Sequence, residues 1–183
     1  TAESGTMGIA IGSDLVGARP IITHQRVEFA LLAIEQITNQ AAKWHYMTGG
    51  KSSVPLFIRL IVGRGWGQGP QHSQSLESWF AHIPGLKVVA PSNSYDAKGL
   101  SIAAIRDNNP VVMIEHRWLH NLFGEVPVEP YDIPIGKAKI AKEGKDINIV
   151  SASYFTLEAL KAADCLKKED IDAEVIDLRS LRP

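Results

Sequence analysis

Apolar positions along the chain fall into runs that switch between two periods. The stretches Val54-Pro55-Leu56-Phe57-Ile58-Arg59-Leu60-Ile61, Leu86-Lys87-Val88-Val89-Ala90-Pro91 and Val111-Val112-Met113-Ile114-Glu115 are nearly continuous in apolar residues. That pattern belongs to strands covered on both faces, as in a parallel sheet. Shorter runs at Arg19 to Thr23, Ile147 to Val150 and Ala173 to Leu178 read as further strands. Between the strands the period becomes helical. Met7, Ile9, Ala10, Ile11, Leu15 and Val16 lie among small residues, which predicts a buried helix over 2–18 ending near Gly17. Gly5, Gly8 and Gly12 weaken that helix but would let it approach its neighbours closely. Helical spacing recurs from Glu28 to about Met47, from Ser73 to Phe80, from Tyr95 to Arg106 with Ser94 as N-cap, and from Thr156 to Lys167.

Strands alternating with helices predict an α/β class with parallel sheets. Residues 116–136 carry Pro127, Pro130 and Pro134 and read as an interdomain linker. The expected organisation is one domain over 1–135 and the incomplete start of a second over 136–183. A chain that opens on Thr1-Ala2-Glu3 and stops at Arg182-Pro183 is expected to be a piece of a longer protein.

The least regular stretch is Val62 to Gln74, in which five of thirteen residues are Gly or Pro. Such a loop cannot be helix or strand interior. In open α/β sheets ligands bind where strands end and loops lead into helices. His72 sits there, as a functional imidazole or simply as a residue capping the next helix.

Composition narrows the chemistry mainly by exclusion. With 45% hydrophobic and 21% charged residues, the 183-residue chain is ordinary globular sequence. A net charge of -1 gives no field favouring nucleic acid or an anionic membrane. The lone Cys165 permits no disulfide within the chain and fits a reducing compartment. No apolar run reaches transmembrane length and no signal peptide is visible. These features predict a cytoplasmic protein. None of the six histidines forms a pair with zinc-ligand spacing, and no G-x-S-x-G elbow or Walker sequence occurs. Gly63-Arg64-Gly65 begins a dinucleotide fingerprint, but Gln68 stands where the last glycine belongs. The chain therefore has no evident phosphate cradle of its own. Glu3 is either a surface charge at a helix start or a buried carboxylate that holds a ligand's proton. Phe29 is either core packing or a stacking platform for a flat ring.

Several stretches in order then become familiar: Glu3-Ser4-Gly5 with Gly8-Ile9-Ala10-Ile11-Gly12, Gln71-His72-Ser73-Gln74, Pro84-Gly85-Leu86-Lys87-Val88-Val89, Asp96-Ala97-Lys98-Gly99-Leu100, Ile105-Arg106-Asp107-Asn108-Asn109-Pro110-Val111 and Pro134-Ile135-Gly136-Lys137-Ala138. Nearly end to end, the chain resembles the beta subunit of the thiamine-diphosphate-dependent decarboxylase component of 2-oxo acid dehydrogenase complexes. The resemblance implies a transketolase-like pyrimidine-binding domain to about residue 135, lacking its first strand, then the start of the family's C-terminal domain. It implies that Glu3 bonds N1′ of the cofactor's aminopyrimidine, that Phe29 stacks on that ring, and that His72 faces the reacting carbons. Leu56, Ala104, Ile105, Asp107 and Asn109 match positions that hold a potassium ion, where the plain alternative is a helix-ending turn. The family's magnesium and diphosphate motif is carried by an alpha subunit, so two alpha and two beta subunits and a lipoyl acyltransferase core are the implied partners.

The stretch Thr23 to Glu28, Leu32, and Arg64 to Gln68 depart from the pyruvate-specific members, so the substrate need not be pyruvate. Arg64 is a candidate clamp for a substrate carboxylate and Trp66 a candidate wall beside the reacting carbon. The alternatives are a solvated loop charge and a lid on the core, with selection falling to residues around His24 or to the partner chain. Another thiamine-diphosphate enzyme, of transketolase or synthase type, and a non-catalytic assembly module of the same fold are the competing functions.

Overall fold

The computed structural model describes residues 2–65 and 67–183. Among these residues the strands form two sheets. The first contains β1 (Ile21–His24), β2 (Phe57–Val62), β3 (Lys87–Val89), β4 (Val111–His116) and β8 (Ser180–Arg182), in the order β1-β2-β4-β3-β8. Its first four strands are parallel, while β8 returns from the far end of the chain to pair antiparallel with β3. The second contains β5 (Lys139–Lys142), β6 (Ile147–Ser151) and β7 (Ala173–Asp177), with β5 antiparallel and β6 parallel to β7. The α/β expectation holds, but the sheets are mixed rather than purely parallel. Strands β5 and β8 left little trace in the apolar pattern because each is short and only partly covered.

Alternation along β2 and β4 sends successive side chains to opposite faces of the first sheet. Ile58, Leu60, Val62, Val112 and Ile114 face a core completed by Met7, Ile11, Val27, Ile37 and Phe80. Phe57, Val111 and Met113 face Leu100, Ala104 and Ile133. The helix α1 (Glu3–Leu15) thus covers one face and α4 (Ser94–Arg106) the other. Each fully buried Leu, Ile or Phe on these faces contributes about 1.5–3 kcal/mol. No helix among the described residues is long and apolar enough to cross a membrane.

Several expected elements are refined. Only one face of α1 is buried: Met7, Ala10 and Ile11 are covered, whereas Ile9 is 76% and Val16 86% exposed. The helical run after β1 changes pitch, from a tight 3₁₀ segment (Val27–Ala33) through a wide π turn (Gln36–Ala41) to α2 (Ala42–Met47). The expected helix from Ser73 shortens to α3 (Glu77–His82), because residues 63–74 form a loop closed on itself. Asn93, not Ser94, caps α4, its Oδ1 accepting from the Asp96 N–H at 2.8 Å.

Residues 116–136 are more than a linker. A 3₁₀ turn (Arg117–Asn121) leaves β4, Lys98 Nζ donates to the Pro127, Val128 and Glu129 carbonyls, and Tyr131, Ile133 and Ile135 pack onto the sheet beside α4. The two sheets are joined further by Tyr154, at the start of α5 (Tyr154–Leu166), which stacks on His116 with ring centres 4.9 Å apart. Arg179, between β7 and β8, reaches the buried Asp96 of α4 at 2.8 Å.

Candidate active site

The carboxyl ends of β1 and β2 open onto the glycine loop. Gly63, at φ +88°, turns the chain out of β2, and a side chain there would collide with the His116 ring. Its N–H donates to the Gln74 carbonyl at 3.2 Å, closing the loop at its base. Ser73 Oγ to the Gly69 carbonyl (2.7 Å) and Gln74 Nε2 to the Gln71 carbonyl (2.9 Å) hold the segment around His72. His72 is therefore presented from a braced loop, not from a helix start.

Across from the loop stands the segment after β1. Arg26 is buried, and its Nη1 donates to the Gly63 carbonyl at 3.2 Å, tying this segment to the base of the loop. Burial and the neighbouring Arg117 lower the Arg26 pKa, and Glu28 partly offsets them. The Glu28 side chain, 5% exposed, places Oε1 2.5 Å from Nδ1 of His72. Phe29 meets the same imidazole edge-on, ring centres 5.6 Å apart, and keeps 36% of its surface open.

Glu3 begins α1, whose N-cap position, Ala2, offers no side-chain oxygen, so the carboxylate supplies the negative charge that a helix N-terminus favours. It also lies within electrostatic reach of His24, at the end of β1. Burial holds the His24 pKa below the usual imidazole range, and Glu3 offsets only part of that. His24 Nε2 is buried without a hydrogen-bond partner among the described residues. The helix that Glu3 begins packs against the 3₁₀ segment carrying Glu28 and Phe29, and both of these side chains meet His72.

This donor set suits a flat, nitrogen-rich ring. It offers an open aromatic face, a carboxylate at a helix N-terminus, an imidazole disposed to remain neutral and a second imidazole braced by a carboxylate. These residue types are compatible with the aminopyrimidine of thiamine diphosphate, the group that the resemblance assigns to Glu3, Phe29 and His72. Sequence reasoning missed Glu28 and Arg26 as members of the site. Their signal was that both lie in the stretch Thr23 to Glu28, directly before Phe29, which departs from the pyruvate-specific members.

The remaining candidates are placed as follows. The Arg64 guanidinium lies 5.4 Å from the centre of the Trp118 ring. Arg64, Gly65, Gly69, Pro70, Ser73 and Trp118 line a cavity of about 480 Å³ beside the loop. Trp66 lies outside the described residues. At four of the five positions expected around potassium, Leu56, Ala104, Ile105 and Asp107, an oxygen already accepts a hydrogen bond. Arg19 Nη1 donates to the carbonyls of Ile105 (3.0 Å) and Asp107 (2.8 Å), the Leu56 carbonyl accepts from the Val111 N–H, and that of Ala104 from the Asp107 N–H. Asp107 Oδ1 accepts from the Asn109 backbone and side chain, and Oδ2 from Lys87. A potassium ion there would share two carbonyls with a guanidinium.

Residues 1–121 match the family model of the transketolase pyrimidine-binding domain, and residues 136–183 that of the transketolase C-terminal domain. The chain is 50% identical over its whole length to the acetoin:2,6-dichlorophenolindophenol oxidoreductase subunit beta of Cupriavidus necator, covering 54% of that protein. It is 46% identical, again over its whole length, to the mitochondrial pyruvate dehydrogenase E1 component subunit beta of Homo sapiens, covering 52% of it. A solved structure described as a split-gene transketolase, an inactive beta4 tetramer, superposes with a TM-score of 0.80 at 27% identity, over 98% of this chain and 55% of that one. The chain spans about half the length of the curated relatives it matches. With the sheet, the braced His72 loop and the pyrimidine-binding model coinciding over residues 1–121, the chain belongs to the transketolase pyrimidine-binding domain family.

Proposed function

We propose that this chain is part of the beta subunit of a thiamine-diphosphate-dependent 2-oxo acid dehydrogenase and builds the aminopyrimidine half of its active site. The observation that carries the reading is the gathering of Glu3, Phe29 and His72 around one packed segment, in a chain that resembles such subunits throughout. Bound thiamine diphosphate supplies a nucleophilic carbon and an electron sink for decarboxylation. Glu3 holds a proton at N1′ of the aminopyrimidine. Phe29 offers its open face to that ring. His72 gives or takes a proton at the reacting carbons, within the pH range where an imidazole works.

These residues include no phosphate cradle, so magnesium and the diphosphate fall to an alpha-type partner. A second beta subunit and a lipoyl acyltransferase core complete the assembly. The bacterial setting would be the cytoplasm and the eukaryotic one the mitochondrial matrix. Arg64, Trp66 and His24 are the residues of this chain assigned to substrate selection. Potassium would bind at Leu56, Ala104, Ile105, Asp107 and Asn109 alongside Arg19.

The acetoin relative supports a second reading, in which the same half-site serves thiamine-dependent cleavage of acetoin. Glu3→Gln in the full-length chain, assembled with its alpha partner, tests the common part. Hydrogen–deuterium exchange at the thiazolium C2 and turnover of a 2-oxo acid panel should both fall, turnover by about 100-fold or more. Wild-type exchange in this variant would remove Glu3 from the chemistry. Turnover of acetoin alone would select the second reading.

A further inference from the structure

Burying a carboxylate is costly unless its oxygens are answered by hydrogen bonds or opposite charge. Glu28 is 8% exposed, and His72 Nδ1 lies 2.5 Å from its Oε1. Arg26, two residues earlier and also buried, is the neighbouring positive charge. An ionised carboxylate has acceptors only, so the proton in the Glu28–His72 bond belongs to the imidazole Nδ1. A neutral His72 then carries its lone pair on Nε2, across the ring from Glu28. Phe29, edge-on to the ring, restricts its rotation. The His72 side chain remains 35% exposed, so the ring is buttressed on one edge and open elsewhere.

We infer that Glu28 is the positioning residue of His72: it fixes the imidazole as the Nδ1–H tautomer and presents Nε2 as the working nitrogen. The hydrogen bond at one imidazole nitrogen determines the state of the other, and a carboxylate there also stabilises the ring when Nε2 takes a proton. A loop histidine without this brace would exchange tautomers and rotamers, and only a fraction of molecules would offer a lone pair in the right direction. Which proton Nε2 handles rests on the decarboxylase reading; the tautomer does not.

Nitrogen-15 spectra of the full-length chain, without cofactor and at a pH where His72 is neutral, read the tautomer directly. Wild type should carry the proton on Nδ1. Glu28→Gln keeps an acceptor oxygen and should retain that tautomer, which also guards against a variant that misfolds. Glu28→Leu should move the ring to the Nε2–H form and lower turnover in the assembled complex by about 10–100-fold, the usual range for removing a group that orients a reactive one. Thermal unfolding establishes that both variants fold. An Nε2–H ring in wild type, or an unchanged Nδ1–H ring in folded Glu28→Leu, overturns the inference. No 2-oxo acid turnover by the wild-type complex, with the tautomer change intact, removes the decarboxylase reading and leaves the positioning role standing.

Discussion

The helices α1 and α4 are both thirteen residues long and cover opposite faces of one sheet, yet they are finished to different degrees. Around α4 the cap and the buried carboxylate are answered from within the chain, though Nε of the partnering Arg179 is left without a hydrogen bond among the described residues. Asn93 caps its first turn, and the buried Asp96 accepts from Asn93 Nδ2 at 2.7 Å and from Arg179 at 2.8 Å. Gly99 lies against Tyr131 and Ile133, where an added Cβ would fall 2.6 Å from Ile133. Around α1 the requirements are left open. Its cap position offers no side-chain bond, Gly8 and Gly12 have no atom near the place of a Cβ, and neither oxygen of the buried Asp14 has a hydrogen-bond partner among the described residues. Interior polar groups are normally satisfied, so such exceptions mark where a fold serves something other than its own stability. Here α4 is the better satisfied helix, and the open one begins with Glu3, the carboxylate proposed for the site.

The contrast is broken most severely by removing the centre of α4's network. Asp96→Ala leaves the guanidinium of Arg179 without its buried partner and should cost about 3–5 kcal/mol, as breaking a buried pair does. Because Arg179 belongs to the connection into β8, strand β8 should detach from β3 before the rest of the sheet melts. Denaturant unfolding of the full-length chain, with amide exchange at Leu181 and Arg182, reads both effects. A loss below about 1 kcal/mol would put this pair among the exposed ones that contribute little.

The two glycine positions sharpen the comparison at smaller cost. Gly99→Ala must push Ile133 and Tyr131 from the sheet and should destabilise by about 1–3 kcal/mol. Gly12→Ala meets open space and improves helix propensity, so the isolated chain should gain up to about 1 kcal/mol. Equal effects at the two positions would show that α1's glycines are as tightly packed as α4's.

How much of this was legible in the sequence follows the range of the interactions. The strands β2 and β4 are covered on both faces, so their apolar runs announce them without knowledge of any partner. Glu3, Phe29 and His72 enter the proposed site through the resemblance to known beta subunits, each on a matching residue. Glu28 was not, because its meaning lies in a contact 44 residues away in sequence. Nor does the sequence show the role of Asp96, because Arg179, its partner, is 83 residues distant. The expected close packing of α1's glycines was drawn from composition alone. Composition states that a helix permits close approach, not whether this chain supplies the neighbour.

Asp14 gives the most direct measure of how unfinished α1 is. It sits near the end of that helix, 5% exposed, with Arg19 as the nearby positive charge. Burial raises its pKa to about 6, and Arg19 pulls it only partly back. In the unfolded chain an aspartate titrates near 3.9. Between those values the native state binds more protons than the unfolded state, so Asp14 makes stability fall as pH rises from about 4 to about 6, after which the penalty is constant. Asp14→Asn is close to the protonated side chain in shape and cannot ionise. Variant and wild type should therefore differ little below pH 4 from this source, and the variant should gain on wild type by about 1–2 kcal/mol across the window. Unfolding free energies at several pH values from 3.5 to 7.5, measured on the full-length chain, yield the difference curve. A curve flat through pH 4–6 would mean that the Asp14 carboxylate is already satisfied, and that α1 is as complete at this end as α4.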